Sequence, residues 1–310
     1  MENTRAKTTR NSLILLLTAT IWGMAFVSQS KGMDYMHPFT FNGVRSLIGA
    51  AGILVYILIS RKIAGDKAAK LDWKLNVKAG LLCGIFLTIA STLQQFGIKY
   101  TSVGKAGFIT TLYIIFVPMF GIFLKKKVAP VVWAAAGMAA VGMYLLCMTE
   151  SLRLGAGDIM VFLCAIAFAI QIMTVDHYAA RIDGAVVSCI QFTVCGVVCC
   201  IGALIWGQPT FGQIQEGLGA LLYAGVLSCG VGYTLQIVGQ KGLNPTVAAL
   251  IMSLESVIAT ISGWIAYKIG FLSTDQTLTP RQIAGCVIVF AAVILVQLPP
   301  EWFRVGKKNA

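Results

Sequence analysis

Long apolar stretches separated by short polar ones run the length of this 310-residue chain. A helix needs about 20 mostly apolar residues to cross a bilayer, and a span in lipid must satisfy its backbone hydrogen bonds internally. On this basis we predict ten transmembrane helices, at residues 12–30, 38–60, 77–98, 106–124, 129–148, 156–178, 185–206, 217–238, 245–267 and 281–298. The pattern therefore predicts an all-α membrane protein.

The second half of the chain repeats the first at a constant shift of 142 residues. An internal repeat in so apolar a chain is typical of transporters built from two halves around a central site. We therefore predict a first repeat at residues 1–150 and a second at residues 151–310. The shift places Leu93, Gln94, Gly97 and Lys99 on Leu235, Gln236, Gly239 and Lys241, and Ala25, Phe26 and Gln29 on Ala167, Phe168 and Gln171.

Each predicted repeat carries five spans. Because five is odd, the second copy must enter the membrane from the opposite side, so we expect two inverted five-helix repeats related by a pseudo-twofold axis in the membrane plane. Such a bundle places a site near the middle of the bilayer. Movement of one set of helices against the other can then expose that site to each side in turn.

The composition excludes a soluble globular domain. Hydrophobic residues make up 57% of the chain, charged residues 12%, and the mean hydropathy is +0.81, whereas soluble domains carry about 25% charged residues. The basic start of the chain could imitate a secretion signal, but its apolar stretch is long and further spans follow, so we predict an uncleaved first helix. All nine cysteines fall within predicted spans without a paired CxxC spacing. We interpret them as packing residues and predict no metal and no cofactor.

A net charge of +12 could suggest a nucleic-acid partner, but the placement of the charge argues against one. Ten spans put both termini on one side, and that side collects seventeen basic residues against six on the other, with Arg45 inside a span. This is the asymmetry of the positive-inside rule, with a possible attraction to anionic lipid. The seventeen are Arg5, Lys7, Arg10, Arg61, Lys62, Lys67, Lys70, Lys74, Lys78, Lys125, Lys126, Lys127, Arg181, Lys241, Arg304, Lys307 and Lys308.

Two ionisable residues inside predicted spans are candidates for substrate binding. Glu255 lies ten residues past Pro245, about 15 Å into its helix, where a carboxylate is costly and functional by default. It could carry a coupling proton, pair with a substrate ammonium, or make a structural hydrogen bond. Arg45 lies seven residues past Pro38 and could receive a substrate carboxylate, neutralise Glu255, or extend toward the headgroups.

The repeat shift places Tyr113 opposite Glu255, so the two side chains could face one cavity from different halves. Trp22 could offer a ring for stacking or for a cation, although either aromatic could be packing alone. Pro118 should kink the fourth span because it lacks a backbone donor. Asn42 is a weaker candidate for a supporting role.

Two glutamine pairs are related by the same shift, Gln94 with Gln236 and Gln29 with Gln171. By symmetry they lie toward opposite ends of their spans, where they could form outer and inner gates. Hydrogen bonding between helices would explain them as well. We include Gln94 and Gln236 among the candidate substrate-binding residues.

The chain resembles the EamA type of the drug/metabolite transporter superfamily along essentially its whole length. The resemblance rests on Ile21-Trp22-Gly23, on Pro38–Arg45, on Tyr100–Gly121 and on the counterpart Asn244–Gly263. It implies ten spans in two inverted five-helix repeats and export of a small metabolite, often an amino acid or a related compound. It also implies a central cavity between the first, third, fourth, sixth, eighth and ninth helices.

These features favour a secondary active or facilitative transporter in the inner or plasma membrane. We expect it to export a small organic metabolite by alternating access, with protons as a candidate coupling ion. Import of a vitamin, sugar or nucleoside is the alternative. A membrane-embedded enzyme or scaffold is a distant third, since no catalytic motif or effector domain accompanies the spans. The expected partners are the solute and the lipid bilayer, and the expected state is a monomer or weak homodimer.

The charge asymmetry generates a testable prediction about topology. We expect both termini on the cytoplasmic face, because basic residues are retained there during insertion. Single cysteines placed near each terminus should react with a membrane-impermeant thiol reagent in inside-out vesicles and stay unlabelled in intact cells. Labelling of the two termini from opposite faces would contradict the inverted-repeat topology.

Overall fold

The structure, a computed structural model, describes residues 2–65, 71–124, 128–147, 155–273 and 275–297, and every regular element in these ranges is a helix. The short helix Phe211–Glu216 lies outside the set of long apolar helices. That set comprises α1 (Glu2–Gly32), α2 (Pro38–Ala64), α3 (Trp73–Ile98), α4 (Val103–Phe123), α5 (Pro130–Cys147), α6 (Ala156–Tyr178), α7 (Gly184–Gly207), α8 (Leu218–Gln240), α9 (Pro245–Lys268) and α10 (Pro280–Gln297).

An apolar helix lies at each predicted position, but the helices differ in length. Eight are long and apolar enough to cross a membrane, whereas α5 and α10 offer shorter apolar runs, Pro130–Leu145 and Pro280–Leu295. Ten full-length spans are therefore not established, and the described residues support eight. At 18 residues each, α5 and α10 extend about 27 Å, slightly less than the hydrocarbon thickness of about 30 Å. Several predicted cytoplasmic cations lie outside the described residues: Lys67, Lys70, Lys125, Lys126, Lys127, Arg304, Lys307 and Lys308.

Two helices, α4 and α9, break near their middles at almost equivalent positions of the repeat. The helix stops at Leu112 in α4 and at Ser253 in α9. The N–H of Leu112 donates to the Ile109 carbonyl at 3.2 Å, which is the tighter hydrogen-bond spacing of a 3₁₀ turn. Pro118 lies inside Tyr113–Phe123, six residues after the break. Because α9 breaks without an internal proline, the break in α4 does not require Pro118, and the kink at Pro118 stays a prediction.

The eighth helix has its own irregularity, a π-helical stretch from Tyr223 to Gly232. A shorter π-helical segment ends α7, at Ala203–Gly207. π-helical segments are rare in proteins, and those that occur often lie at functional sites. In α8 this stretch carries Ser228 and Cys229, both buried, toward the interior of the bundle.

Helix packing follows a twofold pattern that exchanges the two halves. The helix pairs α2–α7 and α5–α10 join equivalent members of the two repeats, as expected of helices beside a twofold axis. The remaining large interfaces occur as equivalent pairs: α3–α6 corresponds to α1–α8, and α4–α6 corresponds to α1–α9. The duplication in the sequence is therefore also a duplication of contacts.

Close packing at glycine is found in the equivalent interfaces α3–α6 and α1–α8. A Cβ placed on Gly97 of α3 would lie 2.8 Å from the carbonyl oxygen of Gly157 in α6. The equivalent residue Gly239 of α8 faces Leu15 of α1, where a Cβ would also lie at 2.8 Å. Small residues let helices approach closely in lipid, where packing replaces the hydrophobic effect. These contacts fix the separation of the helices that enclose the centre of the bundle.

Candidate functional site

A narrow cavity lies at the centre of the bundle, between helices from both halves. Its volume is about 30 Å³, room for about two water molecules at most. The resemblance implies six lining helices, α1, α3, α4, α6, α8 and α9, and all six contribute, together with α2 and α7. The lining comprises Trp22, Phe26, Gln29, Arg45, Ser46, Leu87, Ser91, Gln94, Thr110, Tyr113, Phe168, Gln171, Ile172, Phe192, Ser228, Cys229, Tyr233, Gln236 and Glu255.

Tyr113 and Glu255 meet directly in this cavity. The Tyr113 hydroxyl donates to Glu255 Oε1 at 2.9 Å, and the side chains are 2% and 4% exposed. Residues that are equivalent under a twofold exchange can touch only near the axis, so this hydrogen bond marks the centre of the pseudosymmetry. Tyr113 begins the second segment of α4, and Glu255 lies in the first turn of the second segment of α9. The two helix breaks therefore present both groups at the same depth.

Most of the lining is itself duplicated by the repeat. The shift of 142 residues relates six pairs of lining residues, so each half supplies a similar set of positions to the cavity. Where the members of a pair differ, as with Ser91 and Tyr233, the two halves present different chemistry. The six pairs are Phe26 and Phe168, Gln29 and Gln171, Leu87 and Cys229, Ser91 and Tyr233, Gln94 and Gln236, and Tyr113 and Glu255.

Arg45 breaks the symmetry of the lining, because the shift places Val187 opposite it. The arginine is 5% exposed, its guanidinium lies 5.3 Å from the centre of the Phe41 ring, and its Nε has no hydrogen-bond partner among the described residues. The hypothesis that it pairs with Glu255 is wrong: no ion pair joins the two in the described part of the chain. The Arg45 guanidinium instead lies over Phe41 of its own helix, while Glu255 accepts from Tyr113.

Aromatic rings form one wall of the cavity. The ring centres of Trp22 and Tyr233 are 4.5 Å apart, and Phe192 packs edge-on against Tyr233 at 5.0 Å. The Trp22 indole nitrogen donates to the Ser228 carbonyl at 3.4 Å, which the π-helical stretch of α8 leaves accessible. Trp22 is therefore held in place by a backbone hydrogen bond and presents its ring toward the cavity.

The four glutamines are grouped here by position in the bundle and not by the repeat shift, and the two groups differ in their bonding. Gln171 and Gln236, the inner glutamine pair, exchange amide hydrogen bonds at 3.2 and 3.4 Å and are fully buried. Gln94 instead donates to Thr110 Oγ1 at 3.2 Å, and Gln29 Oε1 has no partner among the described residues. We call Gln29 and Gln94 the outer glutamine pair. Its members line the cavity but do not bond to each other in the described structure.

Two predicted residues lie away from the cavity lining. Asn42 is fully buried and donates to the Ser91 carbonyl at 2.9 Å, joining α2 to α3. Pro118 is buried within α4. Residue patterns alone missed Tyr233 and Cys229 of the cavity wall. Both are related by the repeat shift to other lining residues, Tyr233 to Ser91 and Cys229 to Leu87, but those residues were not candidates either.

The described side chains offer no obvious metal centre. No group of three or more His, Cys, Asp or Glu side chains comes together within the described ranges. The eight cysteines described are free thiols, and the side chain of Cys147 lies outside the described set. Cys195 packs between Ser46 and Ser91 at 3.4 Å from each hydroxyl. This thiol belongs to the polar interface of α2, α3 and α7.

Eight apolar helices long enough to cross a bilayer, packed around a central cavity, indicate a multi-pass membrane protein. Comparison with known families gives its class. Residues 10–148 and 155–298 each match the EamA-like transporter family. The chain belongs to this family of membrane transporters, and is therefore a transporter and not an enzyme.

Individual relatives agree with the family assignment. An uncharacterized transporter of Archaeoglobus fulgidus is 28% identical over 290 residues, covering 92% of this chain and 84% of its own length. The uncharacterized transporter YwfM of Bacillus subtilis is 24% identical over 295 residues, with 94% of each chain covered. One solved crystal structure, 16% identical, covers 96% of this chain and 99% of its own with a TM-score of 0.73. At that identity the likeness shows the fold alone.

Proposed function

We propose that the protein is a secondary active or facilitative transporter that carries a small carboxylate-bearing metabolite, such as an amino acid or a related compound, by alternating access. The observation that carries the proposal is Arg45, a buried cation on the cavity wall without a carboxylate partner in the described structure. A buried charge costs several kcal/mol unless it is paired. A substrate carboxylate would supply that pair, and the guanidinium fork suits it.

The cavity lining also includes groups that suit a positive charge. Glu255 could accept a substrate ammonium or carry a coupling proton, and the Trp22 and Tyr233 rings offer surfaces for an apolar or cationic group. An arginine and a glutamate in one cavity favour a zwitterion over a simple anion. We also propose export across the cell membrane with both termini cytoplasmic, which the family resemblance and the charge asymmetry of the sequence support. A small solute would reach the cavity only after the helices move, since about 30 Å³ is too little for one.

The glutamine pairs support a specific form of alternating access. We propose that the inner glutamine pair closes the cytoplasmic end of the pathway and that the outer pair closes the other end in the alternative conformation. The inverted repeat makes the two ends equivalent, while only the inner pair is bonded here. Transport would then exchange one amide pair for the other.

Replacement of Arg45 tests the substrate class. In proteoliposomes, counterflow of a transported amino acid should fall about 10- to 100-fold in Arg45→Gln, because a charged hydrogen bond is worth about 1.5–3 kcal/mol. Arg45→Lys should give an intermediate loss, because it keeps the charge without the planar fork. Arg181→Gln, which removes an exposed arginine outside the cavity, should match the wild type. Full counterflow by Arg45→Gln, or no counterflow of any amino acid by wild type, would refute the proposal.

Glu255→Gln separates proton coupling from binding. Glutamine keeps an oxygen that can accept from Tyr113 but cannot titrate. We expect accumulation driven by a pH gradient to be lost. Counterflow without a gradient should persist where Glu255 carries only the coupling proton, and should fall where it also binds the substrate ammonium. Tyr113→Phe keeps the titrating group and should retain coupling, and Glu216→Gln is a matched control at an exposed carboxylate. If Glu255→Gln still concentrates substrate in response to the gradient, Glu255 is not the coupling group.

Cysteine cross-linking tests the exchange of glutamine pairs. In a background without native cysteines, we compare Gln171→Cys/Gln236→Cys with Gln29→Cys/Gln94→Cys. Without substrate, oxidation should join the inner pair faster, because those side chains are already in contact. An excess of transported substrate should slow the inner cross-link and speed the outer one. Rates that are equal, or that substrate does not change, would rule out this gating scheme.

A further inference from the structure

A second, larger pocket lies at the end of the bundle where α1 begins and α8 ends. Its volume is about 230 Å³, against about 30 Å³ for the central cavity. The side chains of Lys7 and Arg10 from α1 and of Lys241 after α8 line it, and none of its lining residues is acidic. Within the described residues, no ion pair engages these three cations.

The neighbouring acidic group does not neutralise the pocket by direct pairing. Asp183 adjoins the lining residue Gly184, but its Oδ1 accepts the N–H groups of Ala185 and Val186 at 3.0 and 3.2 Å. It therefore caps the start of α7. The pocket keeps three exposed cations facing a common space, which favours an anionic ligand.

A buried amide adds a second requirement for the ligand. Asn11 lines the pocket and is 2% exposed; its Nδ2 donates to the Lys241 carbonyl at 2.7 Å. Its Oδ1 has no hydrogen-bond partner among the described residues. A buried acceptor without a donor is unfavourable. The ligand that fits both features carries a negative charge and also a hydrogen-bond donor.

The surface beside the pocket is apolar and distinguishes a lipid from a free anion. Leu13 and Leu17 lie three and seven residues beyond Arg10, on the same face of α1, and are 60% and 51% exposed. Val238, itself a lining residue of α8, is 39% exposed. Acyl chains could lie along this surface while a headgroup fills the pocket. A free phosphate would leave the apolar surface unused.

We propose that this pocket binds the headgroup of an anionic phospholipid that carries a hydroxyl donor, as phosphatidylglycerol does. Lys7, Arg10 and Lys241 bind the phosphate, and the headgroup hydroxyl donates to Asn11 Oδ1. Basic pockets between membrane helices on the cytoplasmic side suit such headgroups. The bound lipid connects α1 with the end of α8, one turn beyond Gln236 of the inner glutamine pair. This site does not depend on the identity of the transported solute.

The test is lipid titration of the purified full chain, followed by native mass spectrometry. We compare Lys7→Gln/Arg10→Gln/Lys241→Gln with Lys62→Gln/Lys74→Gln/Lys78→Gln, which removes three exposed cations outside the pocket for the same change in net charge. Binding of the first phosphatidylglycerol should weaken about tenfold or more in the pocket variant and less than about twofold in the control. The single variant Lys241→Gln should weaken phosphatidylglycerol binding severalfold. This variant keeps the test valid where the triple variant folds poorly.

Two further measurements assign the ligand. Phosphatidylglycerol should raise the Tm of wild type and of the control variant but not of the pocket variant, since a ligand stabilises the state that it binds. Phosphatidylcholine, whose headgroup has neither a net negative charge nor a hydrogen-bond donor, should bind more weakly than phosphatidylglycerol. Equal weakening in both triple variants, or none in either, would overturn the proposal. Displacement of the lipid by millimolar inorganic phosphate would identify a free-phosphate site and would also overturn it.

Discussion

The hydrogen bond between Tyr113 and Glu255 lies where the two halves of the molecule meet, and the central site is organised around it. The donor belongs to one repeat and the acceptor to the other, at positions separated by the repeat shift itself. A carboxylate buried at this depth is tolerated only when a partner satisfies it, and the repeat has placed a phenol at the equivalent position. The duplication thus provides the partner of Glu255, the carboxylate whose counterpart in the other repeat is a tyrosine. The interruptions at Leu112 and Ser253 bring both groups to the axis.

Asymmetry within a symmetric frame gives the cavity its chemistry. A strictly repeated bundle would present the same groups to both sides, and a zwitterion would find no preferred orientation in it. Arg45 has Val187 as its counterpart, and Tyr233 has Ser91. One wall is therefore cationic and another is aromatic, while Glu255 occupies the axis. Under the proposed function, divergence at these few positions would orient a solute, while the helix packing stays equivalent in the two halves.

The sequence predicted the apolar helices and indicated that Tyr113 and Glu255 could face one cavity, because apolar length and internal repetition are properties of the chain itself. The direct hydrogen bond between the two is a finding of the structure. The sequence could not predict that Arg45 and Glu255 remain apart, since helix rise gives depth but not the direction of a side chain around the axis. The sequence did not predict the break at Leu112, because no proline lies there and the break is visible only as a feature that both repeats share at almost equivalent positions. The π-helical stretch of α8 was also missed, since the apolar pattern of its residues is that of an ordinary span.

Because the central cavity is narrow, access to the site depends on how the helices are arranged at the ends of the bundle. With about 30 Å³ at its centre, the described conformation is too tight for a solute, and the members of the inner glutamine pair are hydrogen-bonded to each other. The contact between Asn11 and Lys241 joins α1 to the end of α8 close to the inner pair. Under the proposed gating scheme this end opens as α6 and α8 separate, and a lipid bound between α1 and α8 favours the arrangement of these helices that it fits. Lipid composition would then shift the balance between the two conformations by binding one of them more tightly, which is the only way a ligand can move such an equilibrium.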